Sequence, residues 1–180
     1  MNMMLHFRTM ASIVSFFNQL EENKMKVFQL AAVSTAFAFA SLGAPAAWAA
    51  DTLVMVIPAD LKWTDAPSVG PGAKIAVIEG PLDKPIPFTF RLKLPAGLKV
   101  APHTHPTFER VTVISGTFHF AHGDRFDPAK TTPLTPGSVA IMPAGTPMFG
   151  FTNEETVIQL HGMGPWGISY VNPADDPRKK

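Results

Sequence analysis

Short apolar runs separated by proline and glycine constrain the fold of this chain more than any other feature. From Ala50 onward the sequence holds 17 of its 18 prolines and no amphipathic helical run. Runs of this length bounded by turn residues are typical of β-strands, so we predict an all-β domain, a sandwich or barrel. Nine segments are predicted as strands: 53–57, 74–78, 87–94, 109–115, 117–122, 139–142, 148–151, 156–161 and 168–171.

The segment 87–94 shows the clearest strand pattern, because apolar residues alternate with Thr89, Arg91 and Lys93. Alternation with a period of two places the apolar side chains on one face of a strand and the polar ones on the other. Arg91 is therefore expected to face solvent. The charged, Pro-rich tail 173–180 is expected to fray.

The first 49 residues differ from the rest and are predicted to be an N-terminal extension with a signal peptide. No charge lies between Lys26 and Asp51, and Ala47-Trp48-Ala49 has the small residues of a signal-peptidase site. We expect cleavage after Ala49, a periplasmic or secreted product, and no stable membrane association afterwards; an uncleaved anchor is the alternative. Translation could start at Met1 or Met25.

Charge and cysteine content exclude several classes of function for residues 50–180, which we predict to be a single domain. Twelve Lys and Arg balance twelve Asp and Glu, so no basic surface is expected to bind nucleic acid. The chain has no cysteine. Thiol nucleophiles, zinc–thiolate sites and iron–sulfur clusters are thereby excluded.

His103, His105 and Glu109 are the candidate metal ligands. Histidines two residues apart on an extended strand point to the same face, and after a bend at Pro106 the carboxylate can return to the same point on an adjacent strand. Two imidazoles and one carboxylate form the facial triad of non-haem iron sites, and they also suit manganese, nickel or zinc. A pair of surface histidines with a nearby glutamate is the alternative.

The spacing of these residues resembles the first motif of the cupin superfamily in full. Gly97 and Gly116 flank the two histidines and the glutamate at the expected distances, and Gly137, Pro143 and Gly145 resemble the opening of the second motif. The resemblance covers about residues 74–161. It implies a double-stranded β-helix, a jelly-roll-like barrel, with His103, His105 and Glu109 as metal ligands inside its mouth.

Met148 stands where the second cupin motif usually has a histidine, the fourth ligand. A thioether is a poor ligand for Mn(II), Fe(II) or Zn(II). Three interpretations remain open: a three-ligand site with an extra open position, a site in which His161 substitutes, or a site that binds metal weakly or not at all. His161 contributes only if Val157, Gln159 and His161 face inward, and the alternative is that Ile158 and Leu160 do so.

The function expected from this pattern is an exported metal-binding cupin, an oxygenase-like enzyme such as a metal-dependent dioxygenase acting on a small molecule. The alternative is a cupin that binds a metal or small ligand without turnover. Iron or manganese is favoured as the cofactor, with zinc, nickel or copper as alternatives. Met148 and three phenylalanines, Phe108, Phe149 and Phe151, are expected to form the apolar wall, and a homodimer is the expected assembly.

Overall fold

The computed structural model describes residues 53–180, which form eleven strands and four short 3-10 turns. The strands are β1 (Thr64–Asp65), β2 (Lys74–Glu79), β3 (Pro87–Leu94), β4 (Lys99–Thr104), β5 (Glu109–Ser115), β6 (Phe118–His122), β7 (Thr132–Leu134), β8 (Val139–Met142), β9 (Met148–Thr152), β10 (Thr156–Met163) and β11 (Ser169–Tyr170). The turns are Pro58–Asp60, Pro128–Lys130, Pro173–Asp175 and Pro177–Lys179. Within residues 53–180, no helix has the length and apolar character needed to cross a membrane.

The strands form two antiparallel sheets, which confirms the predicted all-β fold. The first sheet has the order β1-β2-β3-β10-β5-β8, and the second has the order β11-β4-β9-β6-β7. Several neighbours in each sheet are far apart in the chain, as when β10 lies between β3 and β5. Such crossovers are those of a jelly-roll barrel.

The core lies between the inner faces of the two sheets. The alternation predicted for β3 is present, because Phe88, Phe90, Leu92 and Leu94 are buried and the residues between them are partly exposed. On β10, Ile158 and Leu160 are buried in the same way. The removal of these side chains from water holds the sheets together.

The structure has three strands that were not predicted, and one predicted strand is absent from the described residues. Residues 53–57 form no strand, whereas β1, β4 and β7 were not predicted. Pro102 lies within β4 where the pairing with β9 is irregular, and Pro133 lies on β7 at the edge of its sheet. Proline is tolerated at bulges and edges, so neither residue ends its strand.

The C-terminal tail, which was expected to fray, forms two short 3-10 turns, and Arg178 Nη2 donates from it to Ile168 O at 3.4 Å. Asp176 is buried, and its carboxylate accepts hydrogen bonds from Arg178 Nε at 2.8 Å and Nη2 at 2.7 Å. The Asp176 carboxylate also caps the last turn by accepting from the Arg178 backbone N–H.

The predicted signal peptide and its cleavage site lie outside the described residues.

Gly116, the last residue of the first motif, makes the turn between β5 and β6. Its φ of +73° lies in the left-handed region, and a Cβ atom there would lie 2.6 Å from Glu155 O. Both constraints require glycine at this position. The turn carries the chain from β5, which begins with Glu109, into the opposite sheet.

Candidate metal centre

Strands β4 and β5 bring the three predicted ligands to one cavity. His103 lies near the end of β4, His105 follows that strand, and Glu109 begins β5. The predicted bend at Pro106 leads into the opposite sheet and not to a neighbouring strand, so the ligands come from both sides of the barrel. All three are buried, with 7%, 5% and 2% of their surface exposed, and all three line the same cavity.

Backbone carbonyls fix the orientation of both imidazoles. His103 Nδ1 lies 2.8 Å from Ala101 O, and His105 Nδ1 lies 2.6 Å from Gly167 O. A carbonyl can only accept, so Nδ1 of each ring carries the proton and Nε2 of the neutral ring has a free lone pair. Metal-binding histidines are commonly oriented in this way through the second ring nitrogen.

The Glu109 carboxylate is held by Trp166. Trp166 Nε1 donates to Glu109 Oε1 at 2.8 Å, while Oε2 lies 3.4 Å from His105 Nε2. Burial raises the pKa of Glu109, and the neighbouring His105 and the Trp166 hydrogen bond partly oppose that rise. The carboxylate therefore needs a positive partner to remain ionised in this environment.

His105 Nε2 and Glu109 Oε2 lie 3.4 Å apart in the buried cavity. With Nδ1 protonated toward Gly167 O, His105 can turn a lone pair at Nε2 toward the ionised carboxylate oxygen. Two such atoms repel each other unless a proton or a cation lies between them. The pair is therefore suited to bind a cation or to share a proton.

The donor set fits a divalent metal ion, although the side chains do not form a ready-made cluster. In residues 53–180, no group of three His, Cys, Asp or Glu side chains is arranged closely enough to hold a metal. The His103 and His105 rings have centroids 5.0 Å apart. Binding at distances of about 2.0–2.2 Å thus requires side-chain adjustment, for which two free Nε2 atoms and one free carboxylate oxygen are available.

Aliphatic and aromatic side chains from both sheets form the rest of the cavity wall. The cavity volume is about 40 Å³, and Leu92, Val111, Phe120 and Ile168 are among the lining residues. Of the predicted wall residues, only Met148 lines it. The prediction was wrong for the three phenylalanines: Phe108 is exposed, Phe149 packs against Phe126, and Phe151 stacks on His119.

Met148 occupies the position predicted from the motif, inside the cavity and next to His103. It is 2% exposed, and its Cα pairs with that of His103 across β4 and β9. His161 does not reach the cavity, because Ile158 and Leu160 are the β10 residues that line it. The hypothesis that His161 replaces the missing ligand is therefore wrong.

Trp166 and Gly167 contact the ligands but were not recognised as site residues from the sequence. The Gly-rich stretch 162–167 has the residue types of a tight structural bend, yet it supplies the partners of Glu109 and of His105. These contacts join residues 57 and 62 positions apart. The concentration of glycines around one tryptophan, beside a partly polar strand, was the only sequence signal for them.

The titration of His103 predicts how the stability of the metal-free protein depends on pH. Burial, together with His105, lowers the pKa of His103 to about 3. Between pH 3 and 6.5 the folded state binds fewer protons at His103 than the unfolded state, so its contribution to stability is complete above pH 6.5 and is lost as pH falls toward 3.

We expect the difference in unfolding free energy between the parent and His103→Gln to grow by about 2–3 kcal/mol from pH 4.5 to 6.5, at about 1.4 kcal/mol per pH unit. Denaturant unfolding in the presence of a chelator measures it. Glu109 titrates with the opposite sign in both proteins, so the subtraction largely removes its effect. His161→Gln, on the outer side of β10, is the control. A pH-independent difference would contradict the assigned burial of a neutral His103.

Comparison with solved structures identifies the fold. The polyketide cyclase RemF from Streptomyces resistomycificus is similar at 17% identity and a TM-score of 0.57, over 71% of this chain and 92% of that chain. A proposed acetylacetone dioxygenase from Methylibium petroleiphilum is similar at 14% identity and a TM-score of 0.53, over 72% and 88%. An RmlC-like cupin from Shewanella frigidimarina gives 14% identity and a TM-score of 0.48, over 61% and 89%.

No protein-family model matches the chain, and no curated protein matches it. The likeness to the first two of these structures, at this low identity, establishes the fold alone. The chain has the cupin fold, as the spacing of its first motif predicted.

Proposed function

We propose that this protein is an exported metal-dependent cupin enzyme, oxygenase-like in its reaction, that acts on a small molecule. His103, His105 and Glu109 hold one divalent ion, with iron or manganese favoured over zinc, nickel and copper. The observation that carries the proposal is that His103, His105 and Glu109 are buried and line one cavity, with His105 Nε2 3.4 Å from Glu109 Oε2. When bound, the ion supplies a Lewis acid with positions open to a small molecule.

The residues of the chain prepare the site in three ways. His103 stays neutral because its pKa is about 3, so protons do not compete for its Nε2 near neutral pH. Glu109 supplies the negative charge that offsets a cation in a buried cavity. The apolar wall limits water around the reacting molecule and thereby strengthens the electrostatic interactions within the site.

A small substrate agrees with the size of the cavity. A volume of about 40 Å³ holds only a few water-sized molecules. Three protein ligands leave positions for dioxygen or for a substrate with two adjacent oxygen donors. A dioxygenase reaction places both oxygen atoms in the product and needs no external reductant.

Oxygen consumption tests this proposal. Protein loaded with Fe(II) or Mn(II) is expected to consume O2 only when a suitable small compound with two adjacent oxygen donors is present, and His105→Ala is expected to abolish the reaction. His161→Ala leaves the cavity intact and serves as the matched control. Metal-loaded protein that binds such compounds without consuming O2 would contradict the enzymatic proposal.

The small cavity also favours a second candidate function, a cupin that holds a metal or small ligand without turnover. Catalysis requires space for a substrate beside the ion, whereas retention of an ion does not. A metal that stays bound while no compound changes the absorption of Co(II)-substituted protein would support this alternative.

Export is part of the proposal and concerns residues before the described part of the chain. N-terminal sequencing of protein from the periplasm or medium is expected to show a chain that begins near Ala50. A membrane-bound product that retains residues 27–49 would support an uncleaved anchor instead.

A further inference from the structure

We infer that Trp166 is a positioning residue for the Glu109 carboxylate, which turns Oε2 toward His105 and toward the position that a metal ion would take. The inference rests on the proposed metal-dependent function. Trp166 Nε1 donates to Glu109 Oε1 at 2.8 Å, and the other oxygen, Oε2, faces His105 Nε2. An indole N–H can only donate a hydrogen bond, so this contact sets which of the two carboxylate oxygens faces Trp166.

The Trp166 side chain is itself held at fixed points. Its ring lies edge-on to Phe90, with centroids 4.9 Å apart, and stacks on His105, with centroids 5.6 Å apart at an interplanar angle of 25°. Its backbone N–H donates to Leu82 O at 2.7 Å. The indole therefore contacts one ligand through its N–H and another through its face.

The chain around Trp166 explains why the indole takes this position. Gly164 N donates to Ile86 O at 2.8 Å, and a Cβ atom on Gly164 would collide with Lys84 O, so this segment lies directly against the loop before β3. The backbone carbonyl of Gly167, the residue after Trp166, accepts a hydrogen bond from His105 Nδ1. One short segment thus orients two ligands, His105 through a backbone carbonyl and Glu109 through the indole.

The hydrogen bond has a definite consequence for metal binding. With Oε1 hydrogen-bonded to Trp166, Oε2 is the more available oxygen, and a carboxylate that bound an ion through Oε2 alone would leave more positions open for small molecules. Without the indole N–H, both carboxylate oxygens are free to bind the ion together or to turn away from it. Removal of an outer partner of this kind typically weakens metal binding about 10–100-fold.

Trp166→Phe tests the inference, because phenylalanine keeps an aromatic ring against His105 and Phe90 but lacks the N–H. Titration with Co(II) alone is expected to show affinity about 10–100-fold below that of the parent. The visible absorption of bound Co(II) is also expected to change in intensity, since the number of coordinated oxygens changes. Trp63→Phe is the matched control: Trp63 lies beside Lys93, does not line the cavity, and is expected to leave both properties unchanged.

A second measurement, the fluorescence of Trp166 itself, requires no substitution in the site. In protein with Trp48→Phe and Trp63→Phe, Trp166 is the remaining tryptophan of three. The fluorescence emission of Trp166 is expected to change as Zn(II) is added, and the change is expected to saturate at one ion per chain. An emission that does not respond while the ion binds would overturn the placement of Trp166 against the site.

The outcomes separate the inference from the function on which it rests. If the parent binds no Co(II), the metal-dependent function fails and the inference fails with it. If the parent binds Co(II), and Trp166→Phe binds it with the same affinity and the same spectrum, the metal site stands and Trp166 serves only in packing.

Discussion

Glu109→Gln is expected to lower the affinity for Mn(II) or Fe(II) by more than about a hundredfold, beyond the range typical of an outer partner. Among the described residues that line the cavity, Glu109 is the only acidic one, and the substitution leaves a neutral amide of nearly the same size. The amide oxygen can still accept from Trp166 Nε1, so the packing is preserved. Metal titration into chelator-treated protein measures the effect.

His103→Ala and His105→Ala are expected to reduce metal occupancy sharply as well, because each removes an Nε2 donor. The barrel should remain folded in all three variants, since its core is made by apolar side chains of both sheets. Circular dichroism and unfolding curves check this point. If all three variants retained the occupancy of the parent, the proposed site would not be the metal site.

Met148→His is expected to tighten metal binding about ten- to a hundredfold. The side chain at this position lies in the cavity, and its Cα pairs with that of His103. Structural zinc sites with four ligands bind with about 10–16 kcal/mol, so a well-placed fourth ligand is worth about 3 kcal/mol before losses from imperfect geometry. Parallel titrations of a divalent ion into the parent and the variant measure the gain.

His161→Ala is the control for this experiment and is expected to leave the affinity unchanged. His161 lies on the outer side of β10, whereas Ile158 and Leu160 line the cavity. If His161→Ala lost metal, the observed orientation of β10 would be contradicted. If Met148→His left the affinity unchanged, Met148 would serve only to pack the barrel wall.

Local patterns in the sequence predicted the features that depend on residues near one another. Alternation over β3 identified its buried face, and the spacing of the two histidines and the glutamate identified one cavity. The resemblance to the first cupin motif predicted the fold. These features follow from strand periodicity and from turn residues, which the sequence displays directly.

Features that depend on pairing between distant segments were not predictable in the same way. Residues 148–151 form a continuous apolar run, so its periodicity did not show that Met148 faces inward while Phe151 faces His119. A shift of one residue reverses the face of every side chain in a strand. Residues 53–57 are equally apolar but have no partner strand, and apolar character alone does not create one.

The contact between Trp166 and Glu109 shows the same limit at the candidate site. It joins two residues 57 positions apart, and it depends on how β10 and the segment after it lie beside β5. No local spacing encodes that placement. The ligands themselves were predictable because a short segment carries all three, whereas their supporting partners come from the end of the fold.

The metal content of the protein, purified without added metal, tests the central claim most directly. Elemental analysis is expected to find about one iron or manganese per chain, and to find it lost from the His105→Ala variant, because one buried pair of imidazoles with one carboxylate provides a single site. Folded protein that carries no divalent metal and binds none in titration would contradict the claim.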